Sequence, residues 1–247
     1  MRIKGMNSQA VIQFAKERGA RTVNFKLVDI RGTWQHFSTP IRELEGLGVL
    51  VETQHHEVGA PEQAEIDVRF NTSLQTTDNM MLYKYAVKNT ARKHGKAATF
   101  SPKSVFDDNG SETHIHQCLW KGEHSLFYDP EGYASLSQIA RYYVGGLLTH
   151  APASLALVAA TTNSYKHLMP GYEAPVNLVF SKSNRSAAVR ISLTESSATN
   201  HIEFRPPDPT ANPYLLCSVL TIRTIQKGEK AILGPILAAR MAIQVIS

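Results

Sequence analysis

The chain has 247 residues, 43% of them hydrophobic and 19% charged, enough apolar material for a packed core and too much for a disordered or low-complexity chain. Its net charge of +5 fits a small anionic ligand as well as it fits nucleic acid. The densest basic group, Lys84, Lys88, Arg92, Lys93 and Lys96, falls at helical spacing and reads as a solvated helix face, so no nucleic-acid partner is expected. Two cysteines, Cys118 and Cys217, make neither a disulfide framework nor a zinc spacing; they read as reduced thiols, which favours the cytoplasm. Residues 1–5 lack the apolar run of a signal peptide. The most apolar segment, 231–247, is short for a membrane span and contains Gly234, Pro235 and Arg240, so it reads as a packing helix and no membrane partner is expected.

In chain order, Asn7 caps an expected helix at 8–18 that Gly19 ends. Residues 22–30 alternate as a strand, Arg31-Gly32-Thr33 turns, and 34–39 returns as a hairpin. A short helix at 40–48 runs abruptly into a second hairpin, 49–57 and 64–70. A long helix is expected at 76–95 with Gly95 as its stop, then a short strand at 97–100. Helices follow at 136–149 and 152–160, divided by Pro152, then a proline-bracketed loop at 170–175. Strands at 187–193 and 201–204 and a helix at 212–226 complete the pattern. Strands and helices without regular βαβ alternation predict an α+β fold.

Three of these strands carry polar groups in a regular way. The turn Asn109-Gly110-Ser111 has backbone N–H groups suited to an anion, and His114 and His116 after it share one strand face. Alone, that segment fits a half-exposed strand whose polar face meets water slightly better. His201, Glu203 and Arg205 repeat the pattern, as do His55-His56-Glu57-Val58 and the run from Glu65 to Phe70. Carboxylate and imidazole groups in mid-strand suit Mg²⁺ or Mn²⁺, and arginines beside them suit phosphate or carboxylate. The three together describe a curved, mostly antiparallel sheet with a polar inner face.

Taken together, Val51-Glu52-Thr53-Gln54-His55-His56-Glu57-Val58, Gln63-Ala64-Glu65-Ile66, Asn109-Gly110-Ser111 with His114 and His116, Pro170-Gly171-Tyr172-Glu173-Ala174-Pro175, Asn184-Arg185-Ser186 and Glu203-Phe204-Arg205 resemble glutamine synthetases of the bacterial and archaeal type. Order and spacing agree from about Val49 to about Gln226. The resemblance implies an incomplete catalytic domain at 49–247, preceded at 1–48 by a remnant of a β-grasp domain. It implies ATP-dependent amidation of L-glutamate with ammonia through γ-glutamyl phosphate, with ATP and two divalent cations, Mg²⁺ or Mn²⁺, in the site. By that resemblance, Glu57 and Glu65 hold the first metal, and His114 and Glu203 the second. Glu52, Val68, Arg69, Phe70, His116, Cys118 and Arg190 face the nucleotide. Asn109, Gly110, His167, Arg185 and Arg205 hold glutamate or the acyl phosphate, and Glu173 shields the intermediate and takes a proton from ammonium. Family members form rings, which implies a homo-oligomer or co-assembly with a full-length relative.

The chain also departs from the family pattern. Glu112 and Thr113 stand where the family has glycine and a hydrophobic residue, placing a carboxylate near the phosphates. His167 and His201 stand at usual arginines, Ala198 at a usual lysine and Cys118 at a usual serine. An imidazole in place of a permanently charged fork weakens carboxylate and phosphate binding. Near Gly46-Leu47-Gly48 the family carries a long segment absent here, including a strand whose two glutamates complete both metal shells. Its loss is expected to open the sheet, expose edges and impair catalysis. A γ-glutamyl ligase for another amine and a non-catalytic assembly or regulatory protein are the alternative readings.

Overall fold

The computed structural model describes residues 41–57, 63–172, 174–192, 200–222 and 234–246, the strands at 23–28 and 34–39, and the single positions 13, 17 and 59. Apart from positions 13 and 17, the expected helix at 8–18 lies outside the described residues; so do the turn at 31–33, Glu173 and Ala198.

β1 (Val23–Val28) and β2 (Trp34–Thr39) pair antiparallel as a separate two-stranded sheet. The short helix α1 (Ile41–Gly46) buries Leu44 and stops at Gly48, whose φ of +80° is readily adopted only by glycine. That reversal feeds β3 (Val51–His56), which pairs with β4 (Gln63–Val68) as the expected second hairpin. β5 (Asn71–Thr72) then leads into α2 (Ser73–Lys93). This helix starts earlier than its hydrophobic pattern indicates because the Thr72 hydroxyl accepts from the Gln75 N–H. Arg92 and Lys93 sit in its last turn, where the helix dipole favours cations.

Past α2 come β6 (Ala97–Thr99), β7 (Thr113–Lys121) and β8 (His124–Ser125). The segment expected as two helices is one, α3 (Gln138–Val158), with Pro152 inside it. Proline in a helix interior costs about 3 kcal/mol. Packing outweighs that here: Ala140, Tyr143, Val144, Leu147, Ala151, Ser154 and Val158 form one buried stripe that crosses the proline without changing face. Ser137 caps the helix, accepting from the Ala140 N–H at 3.1 Å. The short helix α4 (Thr162–His167) follows behind a Thr161–Ser164 capping box.

β9 (Asn177–Lys182) was not expected from the sequence; it lies parallel to β10 (Ala187–Ile191) at one end of the sheet. β11 (Ile202–Phe204) and α5 (Pro213–Ile222) come next, the helix capped by the Asn212 side chain.

The largest correction concerns the C-terminal segment. It is a strand, β12 (Gly234–Ile246), not a packing helix. It runs antiparallel between β4 and β7, giving the order β3-β4-β12-β7-β11-β10-β9 in a ten-stranded sheet. The sheet is therefore not open at its centre, as the missing family strand had implied. An exposed pair of strand edges leaves rows of N–H and C=O groups without partners, and Ile236, Ile243, Val245 and Ile246 give this segment the β-branched content to fill the gap. Apart from β9–β10, the ladders of the large sheet are antiparallel, in keeping with the expected α+β class.

Tyr83, Ile66, Ile115, Phe127, Leu136, Phe204, Leu216 and Leu220 are fully buried between the sheet and the helices. The Tyr143 hydroxyl donates to Gln117 Oε1 at 2.6 Å and lies 3.3 Å from the Leu220 carbonyl, tying α3 to β7 and α5.

Candidate metal and phosphate site

The polar face of the sheet is assembled from cross-strand neighbours. His55 pairs with Glu65 between β3 and β4, His116 with Glu203 between β7 and β11, and Glu203 with Arg190 between β11 and β10. Directly opposed residues share a face, so polar groups from five separate strands are brought into one surface.

At its β3–β4 end, His55 Nε2 lies 2.9 Å from Glu57 Oε1 and 3.3 Å from Glu65 Oε1. The hydrogen bond to Glu57 raises the His55 pKa above its ordinary value, against the opposing effect of burial. One ligand atom from each of His55, Glu57 and Glu65 falls within 4.8 Å of the others. Two ligands bonded to Mg²⁺ at about 2.0–2.1 Å stand no more than about 4.2 Å apart, so a small closure of this group fits a divalent cation.

The other oxygen of Glu65 turns to the next strand pair. Glu65 Oε2 lies 3.9 Å from His114 Nδ1, and Glu203 Oε1 lies 3.2 Å from the same nitrogen. Imidazole nitrogen with carboxylate oxygens and no thiolate is a donor set for Mn²⁺ or Mg²⁺. Glu57, Glu65, His114 and Glu203, the four residues expected to hold metals, thus form one continuous chain with Glu65 in the middle. β12 passes between β4 and β7 with Ala242 opposite Glu65 and Arg240 opposite His114, and it contains no aspartate or glutamate.

Glu203 is wholly buried, and two arginines meet it. Arg190 Nε lies 2.7 Å from Oε2, and Arg205 Nη1 2.8 Å from Oε1. Arg205 Nη2 reaches on to Glu112 Oε2 at 3.2 Å, and His114 Nε2 lies 2.5 Å from that same oxygen. Burial pushes the Glu112 carboxyl up to about 7, with Arg205 and then His167 pulling the other way. His167 Nδ1 bonds the Ser164 carbonyl at 2.7 Å, and its Nε2 lies 3.9 Å from Glu112 Oε1.

The turn before β7 is clamped by Gln63, whose amide donates to the Gly110 carbonyl at 3.0 Å and whose carbonyl oxygen accepts from Gly59. A Cβ at Gly110 would stand 2.6 Å from His167 Cβ and 2.7 Å from the Pro102 carbonyl, so only glycine fits there. Asn109 is half-buried beside it. Phe70, His116 and His201 form a cluster of three rings, with centroids 6.3 Å (Phe70–His116), 5.4 Å (Phe70–His201) and 4.8 Å (His116–His201) apart. His201 Nε2 bonds the Ser192 hydroxyl at 2.7 Å.

The remaining expected residues are placed differently. Glu52, Arg69 and Arg185 are exposed. Val68 and Cys118 belong to the apolar core, with Cys118 Sγ 3.2 Å from Ser125 Oγ. Burial raises the Cys118 pKa, as befits an inert thiol. His55, Glu112 and Gln63 are given no ligand role by the resemblance. The first was visible in the His55–Glu57 alternation; the second breaks the family pattern; nothing local marks Gln63.

Comparison with known proteins identifies the family. A family profile described as "Glutamine synthetase, catalytic domain" matches residues 4–228. The chain belongs to the glutamine synthetase family. A relative named glutamine synthetase in Frankia alni is 59% identical over 175 residues, 70% of this chain and 37% of the relative. Another, from Streptomyces coelicolor, is 57% identical over 181 residues, 73% of this chain and 39% of the relative. A cryo-EM structure of Plasmodium falciparum glutamine synthetase superposes with a TM-score of 0.69 at 34% identity, over 73% of this chain and 36% of that one. The match therefore spans less than half the length of these glutamine synthetases.

Proposed function

We propose that this chain is an ATP-dependent glutamate–ammonia ligase of the glutamine synthetase type, forming γ-glutamyl phosphate and then glutamine. One observation supports the reading: the buried Glu65 carboxylate belongs to the His55–Glu57–Glu65 group, with Oε1 3.3 Å from His55, while its Oε2 lies 3.9 Å from His114, a position from which it would bridge two divalent cations. In this assignment Glu57 and Glu65 bind one Mg²⁺ or Mn²⁺ with His55, and His114 and Glu203 bind the other. The cations neutralise phosphate and carboxylate oxygens that would otherwise repel one another. Phe70, His116 and Arg190, with the backbone of Val68 and Arg69 and with Glu52, flank the nucleotide. Asn109, Gly110, His167, Arg185 and Arg205 receive glutamate, and Glu173 takes the ammonium proton. Residues 1–48 are assigned to a β-grasp remnant, and the assembly to a homo-oligomer or a mixed ring with a full-length relative.

The test is γ-glutamyl hydroxamate formation from glutamate, hydroxylamine, ATP and Mn²⁺ by the purified chain, abolished by Glu203→Ala. A second reading, a non-catalytic partner of full-length relatives, draws support from the absence of any carboxylate in β12. No hydroxamate, together with nucleotide-dependent thermal stabilisation, selects that second reading.

A further inference from the structure

The geometry points to Glu112 as a positioning residue that holds His114 so that Nδ1, and not Nε2, faces a divalent cation between Glu65 and Glu203. The proposal rests on the metal reading of this site. It adds a residue that stands where the resembling family has glycine, so the carboxylate is this chain's own.

Both ring nitrogens of His114 have carboxylate neighbours, but the two sides differ. Among the described residues, Nε2 faces Glu112 Oε2 at 2.5 Å. On the Nδ1 side lie oxygens from two different strands, Glu203 Oε1 at 3.2 Å and Glu65 Oε2 at 3.9 Å. A cation needs several donors, so the Nδ1 side is where it fits.

Glu112 Oε2 is held in an accepting role. Arg205 Nη2 lies 3.2 Å from it, and a guanidinium only donates. That oxygen therefore uses its remaining lone pair on the Nε2–H of His114, which leaves the Nδ1 lone pair for metal. A carboxylate on the far nitrogen of a metal-binding histidine fixes its tautomer and ring orientation and raises its basicity. Arg205 in turn is anchored by Glu203 Oε1 at 2.8 Å, so the orienting carboxylate and the ligating one share one guanidinium. With β12 bringing no acidic side chain, this arrangement supplies negative charge close to the cation without another direct ligand.

The experiment titrates Mn²⁺ into the metal-free full chain at pH 8 by calorimetry and records nitrogen coupling to bound Mn²⁺ by pulsed EPR. The wild type is expected to bind Mn²⁺ with two histidine nitrogen couplings, one that His55→Ala removes and one that His114→Ala removes. Glu112→Ala is expected to weaken binding at the second site about 10- to 100-fold and to lose the His114 coupling alone. Glu112→Gln, which keeps an acceptor oxygen for Nε2–H but not the charge, is expected to restore the His114 coupling and only part of the affinity. Glu112→Asp retains charge but withdraws the oxygen, and should resemble the alanine variant; it decides the matter if the alanine variant does not fold. Wild-type affinity and coupling in the alanine or aspartate variant, or tighter binding as for a carboxylate that merely blocks the site, overturns the proposal alone. A wild type that binds no Mn²⁺ overturns the metal reading and this proposal with it.

Discussion

Glu203 and Arg205 stand two residues apart, and the guanidinium of one lies 2.8 Å from the carboxylate of the other with both side chains out of solvent. Alternation along an extended segment puts them on one face, and burial makes each depend on the other. Removing one partner of a buried pair strands a charge and costs about 3–5 kcal/mol. Arg205→Met is expected to destabilise the chain by that order in urea denaturation, moderated by Arg190 on the other Glu203 oxygen. The double variant Glu203→Gln with Arg205→Met is expected to recover much of the loss, a coupling that a double-mutant cycle reads directly.

The shared position of Glu65 separates it from Glu57. Saturating divalent cation stabilises the folded state by about 2.7 kcal/mol at one hundred times Kd for each site. Mn²⁺ is therefore expected to raise Tm in the wild type. In the proposed assignment both cations draw on the Glu65 carboxylate, so Glu65→Gln should abolish most of that rise; Glu57→Gln should remove only part. Equal effects of the two substitutions would show that Glu65 does not bridge.

Much of this site was legible before any coordinates. His55 with Glu57, His114 with His116, and Glu203 with Arg205 each sit at a spacing of two, and a strand can only place such residues on one face. The long α2 announced itself through its period and its Gly95 stop. What could not be read was decided by distant partners. Pro152 marks a helix end in local terms, and only the buried stripe on both sides of it shows why the helix continues. The alanines and leucine of residues 234–246 suit a helix locally; the unpaired edges of β4 and β7 make the segment a strand. Glu112 was legible as a departure, but its partners, Arg205 and His167, come from remote parts of the chain.

Glu112 also gives the metal-free protein a pH dependence with a definite sign. Its folded value of about 7 lies above the ordinary 4.5, so the folded chain keeps the proton longer than the unfolded chain. The stability linked to that proton is present below about 4.5 and is lost as pH rises through about 7. The loss is roughly 3 kcal/mol at 1.36 kcal/mol per pKa unit. Wild type minus Glu112→Gln, compared by chemical denaturation from pH 4.5 to pH 8, isolates this group: the glutamine variant should gain relative stability as pH rises. A flat difference would remove the burial argument.

Tyr143 is expected to matter for stability alone. Its hydroxyl satisfies Gln117 Oε1 at 2.6 Å inside the core, and Tyr143→Phe leaves that oxygen buried without its donor. An orphaned buried acceptor costs about 1–3 kcal/mol. The variant should unfold at lower urea concentration while Mn²⁺ still raises its Tm by the wild-type increment. A changed increment would place Tyr143 in the site's support.

The backbone of β12 provides the most direct check on the fold. Met241 pairs with Ile66 on β4 and with Thr113 on β7, so the ladder is occupied on both sides of that residue. Proline there removes an N–H from a central strand, where proline is essentially not found. Met241→Pro is therefore expected to abolish cooperative unfolding and to yield a chain that associates through the freed edges of β4 and β7, seen as a loss of the circular-dichroism transition and a shift to large species on size exclusion. If the C-terminal segment were instead a helix packed outside the sheet, the same substitution would leave the sheet's cooperative transition in place.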